Sequence, residues 1–567
     1  KKDPAEAFDE IAKILFTKGW VEKEFKSKQR RENIFSVEFL EAQLGDNPLN
    51  VLFDQAKIFY RSEGIFKDNE KINLKYETGK EIVKLLEKYN LSDTSGDIKG
   101  IAFERFLGKT FRGEIGQFFT PRTIVEFIVH FINPKEGEKI CDPACGSGGF
   151  LIRVFEVIKN KILSDIDNEY KHYKSEIESL DYSDEERAKL LSDKYEELKK
   201  EIDKSIVGSR FYNLANKSIY GCDANERMAK TSKMNMIMHG DGYGGIYHSD
   251  GFINYGGIFE EQFDVIVTNP PFGANVEPND LIDASQVDIP IAENEYYERT
   301  YGDSYKMSHD KMKSAIGKPI ISLYDLPKKE DSKIKTEILF IERCLNLLKQ
   351  GGRMGIVLPE GIFNNSSTEY VREFCEERSK ILGVVSLPQE TFYSSGADVK
   401  CSILFLQKFT DKELELFEKI KEESTIDINK KYDSRKKELD EIINHPRFLQ
   451  RDFLKDGKKY SKEEKMKATE KAKDENEKLK QLKLSAKTEL KNLEKTILEE
   501  IKILIKTKMD YNIFLYDAEK VGITATGDVD KNELYPNENK PDNIEYTAIE
   551  LYEQYQENSS KFAVMEE

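Results

Sequence analysis

The run Asp142-Pro-Ala-Cys-Gly-Ser-Gly-Gly-Phe-Leu151 decides the fold. It follows a short strand-like stretch, KICD at 139–142, and opens a helical one, IRVFEVIKN. A strand, a glycine-rich turn and a helix form the entry unit of an open α/β sheet, whose ligand sits at the carboxyl ends of the strands. Gly146, Gly148 and Gly149 let the turn bring backbone N–H groups close to that ligand. The spacing is not GxxxxGK[ST], so the turn is not a P-loop. Asp142 at the strand end is badly placed beside a pyrophosphate and well placed to hold an ammonium. A second acid, Asp223, ends the next apolar run, SIYGCD at 218–223, where a carboxylate can accept both ribose hydroxyls. A ribose and a cationic amino-acid tail without phosphate describe S-adenosyl-L-methionine.

Further runs of the same kind are FDVIVTN at 263–269, RMGIVLP at 353–359, ILGVVSLP at 381–388 and CSILFLQ at 401–407. Their alternation with amphipathic helices predicts an α/β, Rossmann-like, mostly parallel sheet over 106–410. The last two runs have no long helix between them and are expected to pair antiparallel. Residues 1–105 read as an N-terminal helical domain. Two charged helical stretches stand apart, an insertion at about 156–206 and an arm at 411–508. In the arm Leu482, Ala486, Leu490, Leu493, Ile497, Ile501 and Leu504 recur at steps of three and four, a narrow stripe suited to a helical hairpin or coiled coil. Residues 509–567 return to mixed composition and are expected to rejoin the catalytic domain.

Asn269-Pro-Pro-Phe272 ends the run FDVIVTN. Asn269, Pro270 and Pro271 make a rigid, donor-poor turn. Such a turn aims the Asn269 side-chain oxygen and the Pro270 carbonyl at one point, which suits an NH2 group with two hydrogens to donate. Phe272 can stack on the ring that carries the amine. A base inside a duplex cannot reach such a pocket, so the target must be flipped out. Upstream, Gly116-Gln-Phe-Phe-Thr-Pro-Arg122 precedes an amphipathic helix. Thr120 suits its N-cap and Pro121 its first turn, and a helix N-terminus can hold the methionine carboxylate.

The order GQFFTPR, DPACGSGGF, GCD, TNPPF, RMGIVLPEGIF resembles the gamma-class amino-methyltransferases, and within them the modification subunits of type I restriction–modification systems. DPAEAFDEIAKILFTKGW, DIKGIAFERFLGKTFRGEIGQFFTPR, SLPQETFYSSGADVKCSILFLQK and IFLYDAEKVGITATGDVDKNEL resemble that family too. The resemblance implies the class I methyltransferase sheet and methylation of adenine N6 at specific sites in DNA. It implies that Gln117, Phe118, Phe119, Thr120, Pro121 and Arg122, with Asp142, Ala144, Gly146, Ser147, Gly148, Gly149 and Asp223, line the cofactor, and that Asn269 to Phe272 hold adenine. Asp250 in HSDGF is placed near the adenine end, with Asp241 as its rival. The implied partners are double-stranded DNA, a specificity subunit, a restriction subunit and a second copy of the chain. The long charged insertions depart from the family pattern.

Composition bounds these readings. The chain has 567 residues, 38% hydrophobic and 34% charged, with a net charge of −17. An acidic DNA enzyme needs a clustered basic cleft or a partner that supplies phosphate contacts. No long apolar run or signal peptide appears, which with six scattered cysteines points to a reduced, cytoplasmic protein without a membrane span. The six histidines show no ligand spacing, so no metal is expected. The start KKDP, without Met, suggests that residues precede it. The NPPF turn by itself serves any planar NH2, so cytosine N4, RNA and a protein glutamine amide stay open as substrates. A fused restriction–modification enzyme and a non-catalytic DNA-binding scaffold stay open as well. PDNIE at 541–545 lacks the lysine of a nuclease site.

Overall fold

The structure is a computed structural model that describes residues 4–26, 33–43, 47–61, 64–91, 120–239, 243–326, 333–455 and 457–562. It divides into two compact units, 1–408 with 513–567, and 409–512.

The first unit is built on an eight-stranded sheet. In chain order its strands are β1 (Ile140–Asp142), β2 (Ile219–Asp223), β3 (Ile246–His248), β4 (Phe263–Thr268), β5 (Leu348–Pro359), β6 (Ser379–Ser386), β7 (Cys401–Lys408) and β8 (Phe514–Asp517). Their spatial order is β8-β6-β7-β5-β4-β1-β2-β3. All pairings are parallel except those of β7, which runs antiparallel to β5 and β6. This is a mostly parallel, mixed α/β sheet, and the antiparallel pairing of the last two runs is as expected. The direction of winding reverses at β1, which lies between β2 and β4. A crevice opens at the carboxyl ends of the strands at such a point.

Two of the eight strands were not among the runs read from the sequence. β3 is three residues long, and β8 carries Asp517 and an exposed Leu515 at the sheet edge. Both are short strands fixed by pairing to β2 and β6 rather than by their own apolar pattern. The Arg122–Ile132 and Gly149–Ser179 helices share one buried cluster with the sheet. The helix Ala548–Glu557 joins it through Tyr552, which stacks on Phe131 at 3.7 Å between ring centroids. The helices Pro4–Lys26, Pro48–Phe59 and Tyr76–Leu86 pack around Phe16, Trp20 and Phe53. Met228 and Met234 of the helix Glu226–Met238 enter that same core. Among the described residues no helix is long and apolar enough to cross a membrane, and all six cysteines are buried thiols.

The second unit is a helical hairpin of Asp411–Asn444 and Lys462–Lys508. Thr410 and Ser461 each close a capping box at the start of their helix. The seam corrects one position of the expected stripe. Leu482 is 54% exposed, and Leu479 is buried with Ala468, Ala472, Ala486, Ile497 and Ile501. The step from 479 to 486 is one heptad, so residue 483 falls on the seam and 482 turns about 100° away from it. The Lys483 ammonium instead donates to the His445 carbonyl at 2.6 Å, tying the hairpin's loop to its second helix.

Candidate functional site

β1, β2 and β3 each deliver an acid at or just past their carboxyl ends: Asp142, Asp223 and Asp250. Asp142 is 1% exposed. Its Oδ1 accepts from the Ala144 amide at 3.0 Å and from the Thr268 hydroxyl at 2.6 Å. Burial pushes its carboxyl up to about 7, further helped by the nearby Asp223, while these two hydrogen bonds oppose the rise. Asp223 accepts from the Asn225 amide at 2.8 Å with one oxygen and from the Gly146 amide at 3.0 Å with the other. Burial raises its carboxyl too. Asp223 therefore braces the glycine turn, a role invisible in a linear motif, and it is not among the residues that line the hollow beside that turn.

The turn itself needs its glycines. Gly146 has φ +51° and Gly148 φ +85°, both in the left-handed region. A Cβ on Gly148 would come 2.5 Å from the Ser232 hydroxyl oxygen. The Ser147 carbonyl accepts from the Asn235 amide nitrogen at 3.0 Å, which fastens the turn to the helix Glu226–Met238. Burial likewise raises the Asp250 carboxyl, and its Oδ1 accepts from the Phe252 amide at 2.9 Å. The loop after Asp250 is pinned by Arg343, itself 2% exposed. Its guanidinium donates to the Gly251 and Ile253 carbonyls, both at 2.8 Å, and to the Asn254 side chain at 2.6 Å.

On the other side of β1, Asn269 follows β4. A hollow of about 70 Å³ lies between the two strand ends, and Thr120, Asp142, Ala144, Gly146, Ser147, Gly149 and Asn269 all line it. The Asn269 amide nitrogen donates to the Thr120 hydroxyl at 2.9 Å. Its Oδ1 is buried and has no hydrogen-bond partner among the described residues. The Pro-Pro turn is clamped from a distant segment. The Thr336 hydroxyl donates to the Pro271 and Ala274 carbonyls, both at 3.1 Å, and the Gly273 amide donates to the Glu337 carboxylate at 3.2 Å. Pro270 is buried, Pro271 exposed and Phe272 half-buried against the main core.

The expected N-cap is corrected by these contacts. The helix Arg122–Ile132 is capped by Pro121, without a side-chain cap, and the Thr120 hydroxyl is engaged by Asn269 instead. Arg122 is exposed in the first turn and does not line the hollow. Gly116, Gln117, Phe118, Phe119 and Asp241 lie outside the described residues. Thr120 as partner of Asn269, Thr268 as partner of Asp142, and the clamp of Thr336 and Glu337 were all missed in the sequence.

The family model of the N-6 DNA methylases matches residues 94–183, 199–301 and 285–492. The methylase subunit of the type I restriction enzyme EcoEI of Escherichia coli is 25% identical over 298 residues, 52% of this chain and 43% of that protein. The type II restriction enzyme and methyltransferase RM.Eco57I of Escherichia coli is 26% identical over 366 residues, 56% of this chain and 32% of that protein. The crystal structure of a modification subunit of a putative type I restriction enzyme from Vibrio vulnificus YJ016 is 18% identical. It covers 72% of this chain and 77% of its own, with a TM-score of 0.42. The chain spans less than half the length of the two curated relatives.

Proposed function

The chain belongs to the N-6 DNA methylase family, and from that premise we propose that it methylates adenine N6 in duplex DNA as the modification subunit of a type I restriction–modification complex. The observation that carries this reading is Asn269. A buried amide oxygen without a partner among the described residues, held beside a hollow that Asp142 also lines, is an acceptor waiting for a donor.

The residues present fit S-adenosyl-L-methionine, which when bound supplies an electrophilic methyl group. Asp142 would hold its ammonium, and Asp223 its ribose hydroxyls with the lone pairs not used on the turn. Thr120 and the helix start behind it would face its carboxylate. Asp250 would stand toward its adenine. The flipped base enters on the Asn269 side. Thr120 accepts from the Asn269 nitrogen and so turns Oδ1 outward. Oδ1 and the Pro270 carbonyl then accept the two hydrogens of the amine. That draws its lone pair out of conjugation and points it along the line of attack. Phe272 stacks on the ring. The protein positions and polarises, and needs no strong base before attack.

With a net charge of −17 the chain offers duplex DNA little general attraction, so a specificity subunit would bring the target site, with a second copy of the chain in the complex. The test is tritiated-methyl transfer by the chain together with its specificity subunit, followed by digestion of the DNA to nucleosides. The label should appear in N6-methyldeoxyadenosine; label in N4-methylcytosine would overturn the adenine assignment. Asn269→Ala should keep its cofactor affinity and lose about 10²–10³ in turnover, the usual cost of removing one preorganised hydrogen-bonding group. Wild-type turnover in that variant would reduce Asn269 to Phe272 to a structural turn.

A further inference from the structure

The helical hairpin divides its charge unevenly along its length. Its far end, residues 445–487, holds fourteen lysines and arginines against eight aspartates and glutamates, a net of +6 in a chain of net −17. The first helix with its lead-in, 409–444, has a net charge of −3, and 488–512 is balanced. The stem uses its charges internally. Lys431 pairs with Glu500 at 2.7 Å and Arg435 with Glu489 at 2.5 Å, each across the two helices. At the far end Arg447, Lys473 and Lys487 have no ion pair among the described residues, and Lys480 meets only its neighbour Glu477, at 3.8 Å.

These cations are ordered in space. Thr469, Lys473, Asn476, Lys480, Lys483 and Lys487 recur at steps of four and three, which is one stripe of the helix Lys462–Lys508. Lys473, Lys480 and Lys487 stand seven residues apart, about 10.5 Å along the axis at each step. The stripe and Arg447 line an open groove of about 830 Å³ in which Glu477 is the one acid. The first helix has 34 residues, so it carries this groove about 50 Å from the hairpin's own root.

We infer that the far end of the hairpin is a duplex-DNA contact, a row of exposed cations that takes the phosphate backbone without reading sequence. This rests on the reading that the chain acts on DNA. Duplex DNA presents one phosphate per about 1.7 Å of axis, so a straight row of lysines finds partners in any register. Of the amides that line the groove, Asn476 is spent on the Phe448 backbone and Gln450 on the Lys465 carbonyl and the Thr469 hydroxyl, so the cations are mainly what it offers a phosphate backbone. The contact answers the problem set by the charge of −17: phosphate attraction is concentrated at one end of the hairpin while the rest of the chain stays acidic.

The test is the full chain with a labelled duplex of about 30 base pairs, its affinity followed by anisotropy as salt is raised. The variant R447Q/K473Q/K480Q/K487Q changes exposed side chains only, so its helical circular dichroism should match wild type. Each lost phosphate contact removes about 0.9 from the slope of log K against log salt. The variant should flatten the slope by about 3 to 4 and bind at low salt at least about tenfold more weakly. The swap K473R/K480R/K487R should retain the wild-type slope. An unchanged slope in the glutamine variant, or no duplex binding by wild type at low salt, would overturn the inference. So would a variant that binds duplex normally but no longer retains the specificity subunit on a column, since the groove would then belong to a protein partner. Methyl transfer by the same preparations separates the two readings. A chain that transfers nothing but loses duplex affinity in the glutamine variant keeps the contact and loses the methylase assignment. Normal transfer with an unchanged slope does the reverse.

Discussion

The turns after β1 and β4 sit side by side and are stabilised differently. The first has its polar groups paired, one contact coming from its own Ala144 amide and the others from Thr268, Asp223 and Asn235 on three other segments. Asp142 takes the Ala144 amide and the Thr268 hydroxyl, Asp223 takes the Gly146 amide, and the Ser147 carbonyl takes Asn235. The second is also held by another segment, through Thr336 and Glu337, but it leaves Asn269 Oδ1 buried without a partner among the described residues. An unsatisfied buried acceptor costs about 1–3 kcal/mol, which a donor entering the site recovers. On the proposed reading the first turn would hold its ligand by charge, with its carboxyls buried, and the second by one hydrogen bond kept open. Affinity for the cofactor and turnover on the base should fail separately.

The largest effect should come from Asp142. Asp142→Ala removes the one carboxylate that lines the hollow among the described residues. Losing one partner of a buried charge pair costs about 3–5 kcal/mol, or about two to four orders of magnitude in Kd. Asp142→Asn keeps an oxygen for the Ala144 amide and removes only the charge, so it should fall almost as far. If Asp142→Asn binds S-adenosylmethionine like wild type in a calorimetric titration, Asp142 is a turn-former and the ammonium lies elsewhere.

The two turns were also unequally legible. Asp142 to Gly149 carries its own chemistry within eight consecutive residues, and the glycines announce the left-handed backbone that the structure shows at 146 and 148. Asn269-Pro-Pro-Phe272 was legible as a rigid turn with an acceptor. Its supports were not, because they come from far away in the chain. Thr336 lies 65 residues beyond Pro271 and Thr120 lies 149 before Asn269. Thr120 even carried a misleading local signal, since Thr before Pro at a helix start reads as a cap. The same holds for the fold. The long apolar runs gave six strands of the sheet, while β3 and β8 exist because a neighbour's edge pairs with them. In the arm the apolar stripe has the expected period with Leu482 displaced by one residue, because a lysine stem stands on the seam where an apolar residue is sought.

A smaller effect follows from the Asp142 carboxyl being raised to about 7. An ammonium binds the ionised form, and its charge pulls the bound carboxyl's pKa below that of the free one. Affinity should thus be flat above pH 7 and fall as pH drops through it, by about tenfold per unit, until the lower bound-state value is reached. Near pH 7 binding should release protons, visible as a dependence of the calorimetric heat on the buffer. Asp142→Asn should abolish both the slope and the release. A wild-type affinity independent of pH from 5 to 8 (on the order of the range this group should span) would separate the carboxyl from the ligand's charge.

The smallest effect, and the most discriminating, should come from Thr120, which touches both turns. Its hydroxyl lines the hollow of the first and accepts from the amide of the second. Thr120→Val keeps the shape and removes the hydroxyl. The Asn269 nitrogen then has no acceptor, and nothing fixes which end of the amide faces the entering base. With the amide reversed, an NH2 would meet the adenine amine, donor against donor. The loss of one neutral hydrogen bond is about 1 kcal/mol or slightly more, so turnover should fall roughly five- to tenfold. Cofactor affinity should change less, because Asp142 still supplies the charge. Thr120→Ser should restore turnover by restoring the acceptor. The opposite split, with cofactor affinity down tenfold and turnover intact, would assign the hydroxyl to the cofactor. Asn269 would then have to be oriented by the base itself.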